Sequence, residues 1–205
     1  MLEIKNTEVF GIPRAILASH NPMSVGEINT KLDAYESISN SGFDRGKKLG
    51  SAPSGSGHDN FLKGIIVQFD VKYPQYWSME AQRYHWMEIL SSQSKMHKLA
   101  ACVNNKDFYG MFNKYVDLDI IRHTEEYLIK YNTETDPDQK YFWFMKALSN
   151  LPMGYELWMT VSTNYLQLKT IYQQRKNHKL REDWKPFCDW CEGLPNFCDL
   201  TGVKK

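Results

Sequence analysis

The chain has 205 residues, 42% of them hydrophobic, and a formal net charge of +1. This length is enough for one domain with a substantial core, while the near-neutral charge and the scattered basic residues do not favour binding to a polynucleotide. No apolar stretch approaches the roughly 20 residues that span a bilayer, and the first residues lack the apolar core of a signal peptide, so we expect a cytoplasmic protein without a membrane partner.

The first half of the chain predicts two strands and a loop. One strand is expected within residues 2–18, where apolar side chains recur. Residues 37–57 are rich in Ser and Gly and predict a mobile surface loop. The alternative is a loop that closes over a phosphate, although the Walker pattern is not satisfied. Residues 61–73 carry β-branched and aromatic side chains and predict a buried strand that Pro74 ends.

The second half of the chain predicts helices. Residues 78–98 contain no Gly or Pro and place apolar side chains at steps of three and four, with Ser78 as the N-cap. The remaining helices are expected at 113–131, from Asp136-Pro137 onward, at 154–177 and at 182–192. Together these patterns predict an α+β fold in which helices dominate.

One predicted helix carries two polar side chains on an apolar stripe. Within residues 154–177, Asn164 and Arg175 fall at steps of three and four from apolar neighbours, so they share one helix face. Burying an amide or a guanidinium without a partner costs several kcal/mol. Either a neighbouring carboxylate or carbonyl satisfies both groups, as the spacing alone favours, or a ligand does. The apolar members of the stripe are Leu157, Val161, Leu168 and Ile171.

Three segments, taken in order, resemble one enzyme family. They are Gly57-His58-Asp59-Asn60 before the predicted strand, Gln82-Arg83-Tyr84-His85 with Gln93-Ser94, and Leu151-Pro152 followed by Asn164 and Arg175. Their order and spacing resemble the flavin-dependent thymidylate synthases. The resemblance covers residues 10 to 185 and leaves 186–205 as a C-terminal extension of a single domain.

The resemblance implies a fold, a cofactor and a reaction. The fold would be α+β and helix-rich, with a central antiparallel or mixed sheet. The cofactor would be FAD, with NADPH and a folate as co-substrates, and the partner would be a pyrimidine nucleotide that receives a methyl group at C5. The family also implies a homotetramer.

The resemblance carries roles onto individual residues. The cofactor-binding positions are His58, Asn60, His85 and Asn164. The substrate-binding positions are Arg83, Gln93, Ser94 and Arg175. Ser94 and Arg175 would also take part in catalysis, by positioning the pyrimidine nucleotide.

The charged positions of the family depart from the pattern in this chain. Tyr84, Trp86 and Met96 stand where the family signature has arginines, and Leu148 replaces another arginine that binds phosphate. Guanidinium forks fit phosphate oxygens, so either other cations compensate or the ligand differs. Candidate compensators are Arg83, Lys95, Lys47, Lys48 and Lys146. The alternatives are a noncatalytic nucleotide-binding or protein-interaction module on the same fold and a flavoprotein that acts on an altered nucleotide.

The C-terminal region contains a possible metal motif. Cys188, Cys191 and Cys198, with His178 upstream, could form a zinc site, but a second Cys-x-x-Cys pair is absent. The favoured interpretation is free thiols packed among aromatic side chains, and we therefore expect no metal.

Overall fold

The computed structural model describes residues 2–30 and 40–203. The strands among these residues are β1 (Glu3–Phe10), β2 (Ile66–Pro74), β3 (Glu88–Ser92) and β4 (Glu156–Asn164). The helices are α1 (Ile12–Ala18), α2 (Asn40–Gly50), α3 (Gln75–Ala81), α4 (Lys95–Cys102), α5 (Leu118–Thr133), α6 (Pro137–Ser149), α7 (Tyr165–Arg175), α8 (Arg181–Gly193) and α9 (Phe197–Thr201). The expected helix-rich α+β class is confirmed.

The four strands form one antiparallel sheet in the order β1-β2-β4-β3. Along β2 every second side chain is buried, including Val67, Phe69 and Val71, and β4 alternates in the same way. Successive side chains of a strand point to opposite faces, so one face of each central strand packs into the core. The strand predicted at 61–73 is confirmed from Ile66 onward, and Pro74 is its last residue.

The chain divides into two compact units. The hairpin unit comprises residues 72–83 and 91–159 and contains the antiparallel helix pair α5 and α6. The α7 unit comprises residues 2–71, 84–90 and 160–205 and contains the helices from α7 onward, together with α1 and α2. No helix in the described part of the chain combines the length and the apolar composition that a membrane crossing requires.

The prediction of a loop at 37–57 is wrong for residues 40–50, which form helix α2. Gly42, Gly46 and Gly50 recur every four residues and are buried on one side of this helix. A Cβ at Gly50 would overlap the carbonyl oxygen of Leu200 in α9, so glycine permits a close backbone approach. The glycines therefore serve helix packing, and the phosphate-loop alternative is wrong there as well. Residues 51–59 do form turns, while 37–39 lie outside the described residues.

The helix predicted at 78–98 is also wrong. The chain forms α3, a turn, strand β3 and then α4, and Ser78 lies inside α3 with its hydroxyl donating to the Gln75 carbonyl. Just past the end of β3, Gln93 N donates to the Trp158 carbonyl at 2.9 Å. Hydrogen bonding to β4 therefore determines the structure of this segment, and the helical spacing of its apolar residues arose by chance.

The helix predicted at 154–177 divides into β4 and α7. Val161 lies on the strand, Asn164 is the N-cap, and Arg175 ends the helix, so the six-residue stripe is not a helix face. The helix opened by Asp136-Pro137 is confirmed, and the Asp136 side chain caps it by accepting from Gln139 N at 2.9 Å.

The remaining predictions hold in part. The helix expected at 113–131 begins five residues later, at Leu118, and the helix expected at 182–192 is α8. The strand expected within 2–18 is β1, which is followed by the unpredicted helix α1.

Candidate functional site

Helix α7 contains or contacts each segment of the α7 unit that carries a predicted flavin-binding residue. At its start, the Asn164 Oδ1 accepts from Gln167 N at 2.9 Å and caps the helix. In its middle, Lys169 bonds to the segment that contains His58, and at its end Arg175 bonds to the residue before His85. A helix of 11 residues is about 16 Å long. One rigid element therefore connects all the segments that carry these residues.

Lys169 holds the His58 segment through a buried network. Its side chain is 1% exposed, and its Nζ donates to the carbonyls of Gly50 and Ala52 and to Asp59 Oδ2 at 2.8, 2.6 and 2.7 Å. An ammonium has three donors, so these bonds satisfy it completely. Asp59 is buried, whereas its neighbours His58 and Asn60 are exposed. The ion pair thus fixes a short loop whose polar side chains face outward.

Arg175 packs in an aromatic cluster. Its Nε donates to the Tyr84 hydroxyl at 2.7 Å, and its guanidinium lies 5.4 Å from the Tyr84 ring centre and 4.8 Å from that of Trp184. The Tyr84 hydroxyl in turn donates to Gln174 Oε1 at 3.0 Å. Cation–π contacts of this kind stabilise a half-buried guanidinium. Tyr84, which stands where the resemblance places an arginine, is therefore a buried partner of Arg175.

Three of the four predicted flavin-binding residues are accessible to a ligand. His58, Asn60 and His85 are exposed, and their imidazoles and amide can hydrogen-bond the ring's carbonyl and nitrogen atoms. Asn164 is 9% exposed and its oxygen already caps α7, so it fits this role less well.

Two of the three predicted substrate residues of the hairpin unit have structural partners of their own. Gln93 Oε1 accepts from Trp158 N at 3.1 Å and extends the pairing of β3 with β4. Ser94 is the N-cap of α4, and its hydroxyl accepts from His97 N at 3.3 Å. Arg83 is exposed at the turn after α3. Gln93 and Ser94 also border a cavity of about 650 Å³ beside α4.

Most of the candidate compensating cations have local partners. Lys47 lies 3.5 Å from Asp199 and 5.0 Å from the Phe43 ring centre, and Lys95 donates to Gln75 Oε1. In the hairpin unit, Lys146 lies over aromatic rings of α5 and α6 at 4.9 to 5.6 Å. Lys48 is exposed on α2. Most of these cations therefore contribute to the packing of their helix and its neighbours.

The C-terminal cysteines are free thiols. Burial raises the pKa of Cys188 to about 11 and that of Cys191 well above its ordinary value, so both stay protonated at neutral pH. Among the described residues, no group of three or more His, Cys, Asp or Glu is arranged to hold a metal ion.

The sequence patterns missed the Lys169–Asp59 pair and Trp184. A lysine between apolar helical positions carries no signal, because lysines are common on exposed helix faces. Asp59 was visible inside the Gly-His segment, but its burial depends on the long-range contact with α7. Trp184 is fully buried in α8 and was hidden among many aromatic residues.

Comparisons with known proteins identify the fold. No protein-family model matches the chain, and no curated protein matches it by sequence. The flavin-dependent thymidylate synthase ThyX of Helicobacter pylori, complexed with FAD and dUMP, matches over 97% of both chains with a TM-score of 0.69 and 12% identity. A second ThyX structure from that organism, with FAD and dUMP, covers 98% of this chain and 97% of its own, with a TM-score of 0.68 and 13% identity.

A related methylase shows the same architecture. The UMP/dUMP methylase PolB of Streptomyces cacaoi, bound with 5-Br dUMP, matches over 98% of this chain and 91% of its own, with a TM-score of 0.62 and 12% identity. The chain therefore has the fold of the flavin-dependent thymidylate synthases.

Proposed function

We propose that the protein binds FAD and transfers a methyl group to C5 of a pyrimidine deoxynucleotide monophosphate. The observation that carries the proposal is the fold likeness over 97–98% of the chain to structures that contain FAD and dUMP or a dUMP analogue. Fold alone does not define a reaction, so the residues must supply the chemistry.

The α7 unit would hold the cofactor. His58 and Asn60 project from the loop that the Lys169–Asp59 pair fixes, and a rigid loop costs little ordering entropy on binding. His85 follows the buried Tyr84, which anchors it to the end of α7. Reduced FAD, when bound, supplies the hydride that converts the transferred one-carbon unit into a methyl group. NADPH and a folate are the proposed sources of electrons and of the one-carbon unit.

Arg83, Gln93, Ser94 and Arg175 are the proposed nucleotide-binding residues. A guanidinium suits the phosphate, and the hydroxyl and amide suit the pyrimidine edge. Arg83 is exposed and so accessible to a ligand, while Ser94 can donate its hydroxyl proton even though its oxygen caps α4. These groups would orient the nucleotide and contribute no nucleophile.

One observation favours the second candidate, a noncatalytic nucleotide-binding or protein-interaction module. Arg175 already contacts Tyr84 and Trp184, as a guanidinium with a structural role would do. If that cluster is its whole function, then the phosphate loses one of its expected partners.

A tritium-release assay distinguishes the two candidates. Methylation replaces the hydrogen at C5, so [5-³H]dUMP incubated with the protein, FAD, NADPH and methylenetetrahydrofolate should release tritium to water. His58→Ala should lower the release at least tenfold, whereas His20→Ala, which changes another exposed histidine of the α7 unit, should not. Binding of dUMP without tritium release would instead support the noncatalytic module.

We also propose a homotetramer, which the family resemblance implies. Its support in this structure is a set of exposed apolar side chains around β3: Trp86 at 61%, Leu90 at 56% and Ile89 at 40% exposure. Strand β3 is at the edge of the sheet, and exposed apolar side chains on an edge strand are common at protein interfaces. Light scattering should give four times the chain mass of 24.0 kDa, and Leu90→Glu should lower that value. A monomeric native protein would contradict the proposal.

A further inference from the structure

Three aromatic rings of the helix pair α5 and α6 form a cage. Tyr127 of α5 and Trp143 of α6 are nearly parallel, with an interplanar angle of 25° and ring centres 6.1 Å apart. Phe142 meets Trp143 edge-on, at 5.2 Å and an interplanar angle of 75°. Tyr127 and Trp143 are half-buried and Phe142 is 50% exposed, so this aromatic cage is accessible from solvent.

The aromatic cage already holds a cation, the ammonium of Lys146. Its Nζ lies 4.9 Å from the ring centre of Tyr127, 5.2 Å from that of Trp143 and 5.6 Å from that of Phe142. All three distances are within the roughly 6 Å over which a ring face attracts a cation. No carboxylate pairs with Lys146 among the residues that the structure describes. The negative ring faces therefore attract this cation without help from an acidic side chain.

A trimethylammonium group suits the cage better than the primary ammonium of a lysine. The lysine ammonium is compact and strongly hydrated, so moving it from water onto the rings is costly. The methyl groups of a trimethylammonium instead bury apolar surface against the rings and keep the positive charge. Lys146 is half-buried on α6, so its flexible side chain can return to water when another cation takes its place.

The exchange of one cation for another conserves the charge of the cage. A second ammonium, that of Lys130, lies 4.4 Å from the Trp143 ring centre and repels any cation nearby. Because Lys146 leaves as the ligand enters, this repulsion is similar before and after binding.

We propose that the aromatic cage binds a trimethylammonium group, carried by a small solute or by a lipid headgroup, and that Lys146 occupies the cage until this ligand replaces it. Tyr127, Phe142 and Trp143 have no proposed role in binding the flavin or the nucleotide. The ligand is also a cationic group, whereas the nucleotide is an anion. The site is therefore separate from the proposed methyl transfer.

Two probes of the same shape test the charge preference. One is choline, and the other is its uncharged carbon isostere 3,3-dimethyl-1-butanol. Protons over an aromatic face shift upfield in NMR spectra, so titration with protein should shift the methyl signal of choline saturably. The isostere should bind about fivefold more weakly, which corresponds to a cation–π contribution of ~1 kcal/mol. Equal affinities would overturn the proposal, because the cage would then be an ordinary apolar surface.

Variants of helix α6 locate the choline site. Lys146→Ala removes the competing ammonium and should strengthen choline binding about fivefold. Lys140→Ala should leave it unchanged, because that ammonium lies over a single ring, Tyr131, at 5.1 Å. Phe142→Leu removes one wall and should weaken binding about fivefold, whereas Tyr141→Leu, at a 66% exposed neighbour outside the cage, should not. Circular dichroism verifies that each variant is folded, and equal choline affinities in all four would overturn the proposal.

Two further measurements on the unmodified protein identify the source of the group and test its independence. Sedimentation with phosphatidylcholine vesicles that choline reverses would support a lipid headgroup as the source. Choline binding without sedimentation would support a free solute. The nucleotide dUMP should leave the choline titration unchanged. Displacement of choline by dUMP would overturn the proposal, because the cage would then belong to the nucleotide site.

Discussion

The buried Lys169 network makes a strong prediction about stability. In Lys169→Met the methionine fills much of the same volume, but Asp59 and two carbonyls lose their charged donor. Removing one partner of a buried ion pair typically costs 3–5 kcal/mol, because the other charge stays buried without compensation. For a chain of this size that corresponds to a melting temperature lower by about 6–20 °C. Thermal unfolding followed by circular dichroism measures the change.

A matched control separates burial from charge. Lys185 and Asp189 form an ion pair of similar length, 2.6 Å, on the exposed surface of α8. Lys185→Met should leave the melting temperature nearly unchanged, since solvent screens that pair. The double variant Lys169→Met/Asp59→Asn should recover part of the loss, because no charge is then left buried. Equal melting temperatures for Lys169→Met and Lys185→Met would refute the reasoning.

Three further predictions follow from packing and ionisation. Gly50→Ala should destabilise the protein by about 1–3 kcal/mol, because its Cβ would overlap a backbone carbonyl, whereas Gly193→Ala, with open space around it, should not; urea unfolding compares the two. Tyr84→Phe should cost about 1 kcal/mol in the same assay, because the half-buried Arg175 loses a hydrogen bond, and no loss would show that the hydrogen bond is unimportant. The pKa of the Cys188 thiol rises from 9.0 to about 11 on folding, so the folded state binds more protons and stability should fall between pH 9 and 11; Cys188→Ala should make that fall less steep, and an identical pH profile would contradict it.

The sequence predicted elements well where the local signal was strong. Strand β2 combines alternation, β-branched side chains and a terminal proline, and helix α6 has its cap and proline at the start. Strand β4 was mistaken for a helix because Leu157, Val161 and Asn164 happen to recur at steps of four and three. Strand pairing, which is a long-range property, decides such segments, and spacing within one segment cannot reveal it.

The sequence predicted the residues of the candidate site better than it predicted the residues that they contact. The resemblance located His58, His85, Asn164 and Arg175, and the structure connects the segments of all four to α7. That Arg175 is bonded by Tyr84 could not be read from the sequence, because the two residues are 91 positions apart. Their roles toward a cofactor and a nucleotide stay predictions that binding experiments test.

Flavin binding tests the central proposal most directly. The purified protein is incubated with FAD, passed through a desalting column, and examined by visible absorbance while circular dichroism verifies that it is folded. We expect a retained flavin spectrum at about one FAD per chain, and a lower occupancy in His58→Ala than in the matched His20→Ala variant. Folded protein that retains no FAD would contradict the proposal that this chain is a flavin enzyme.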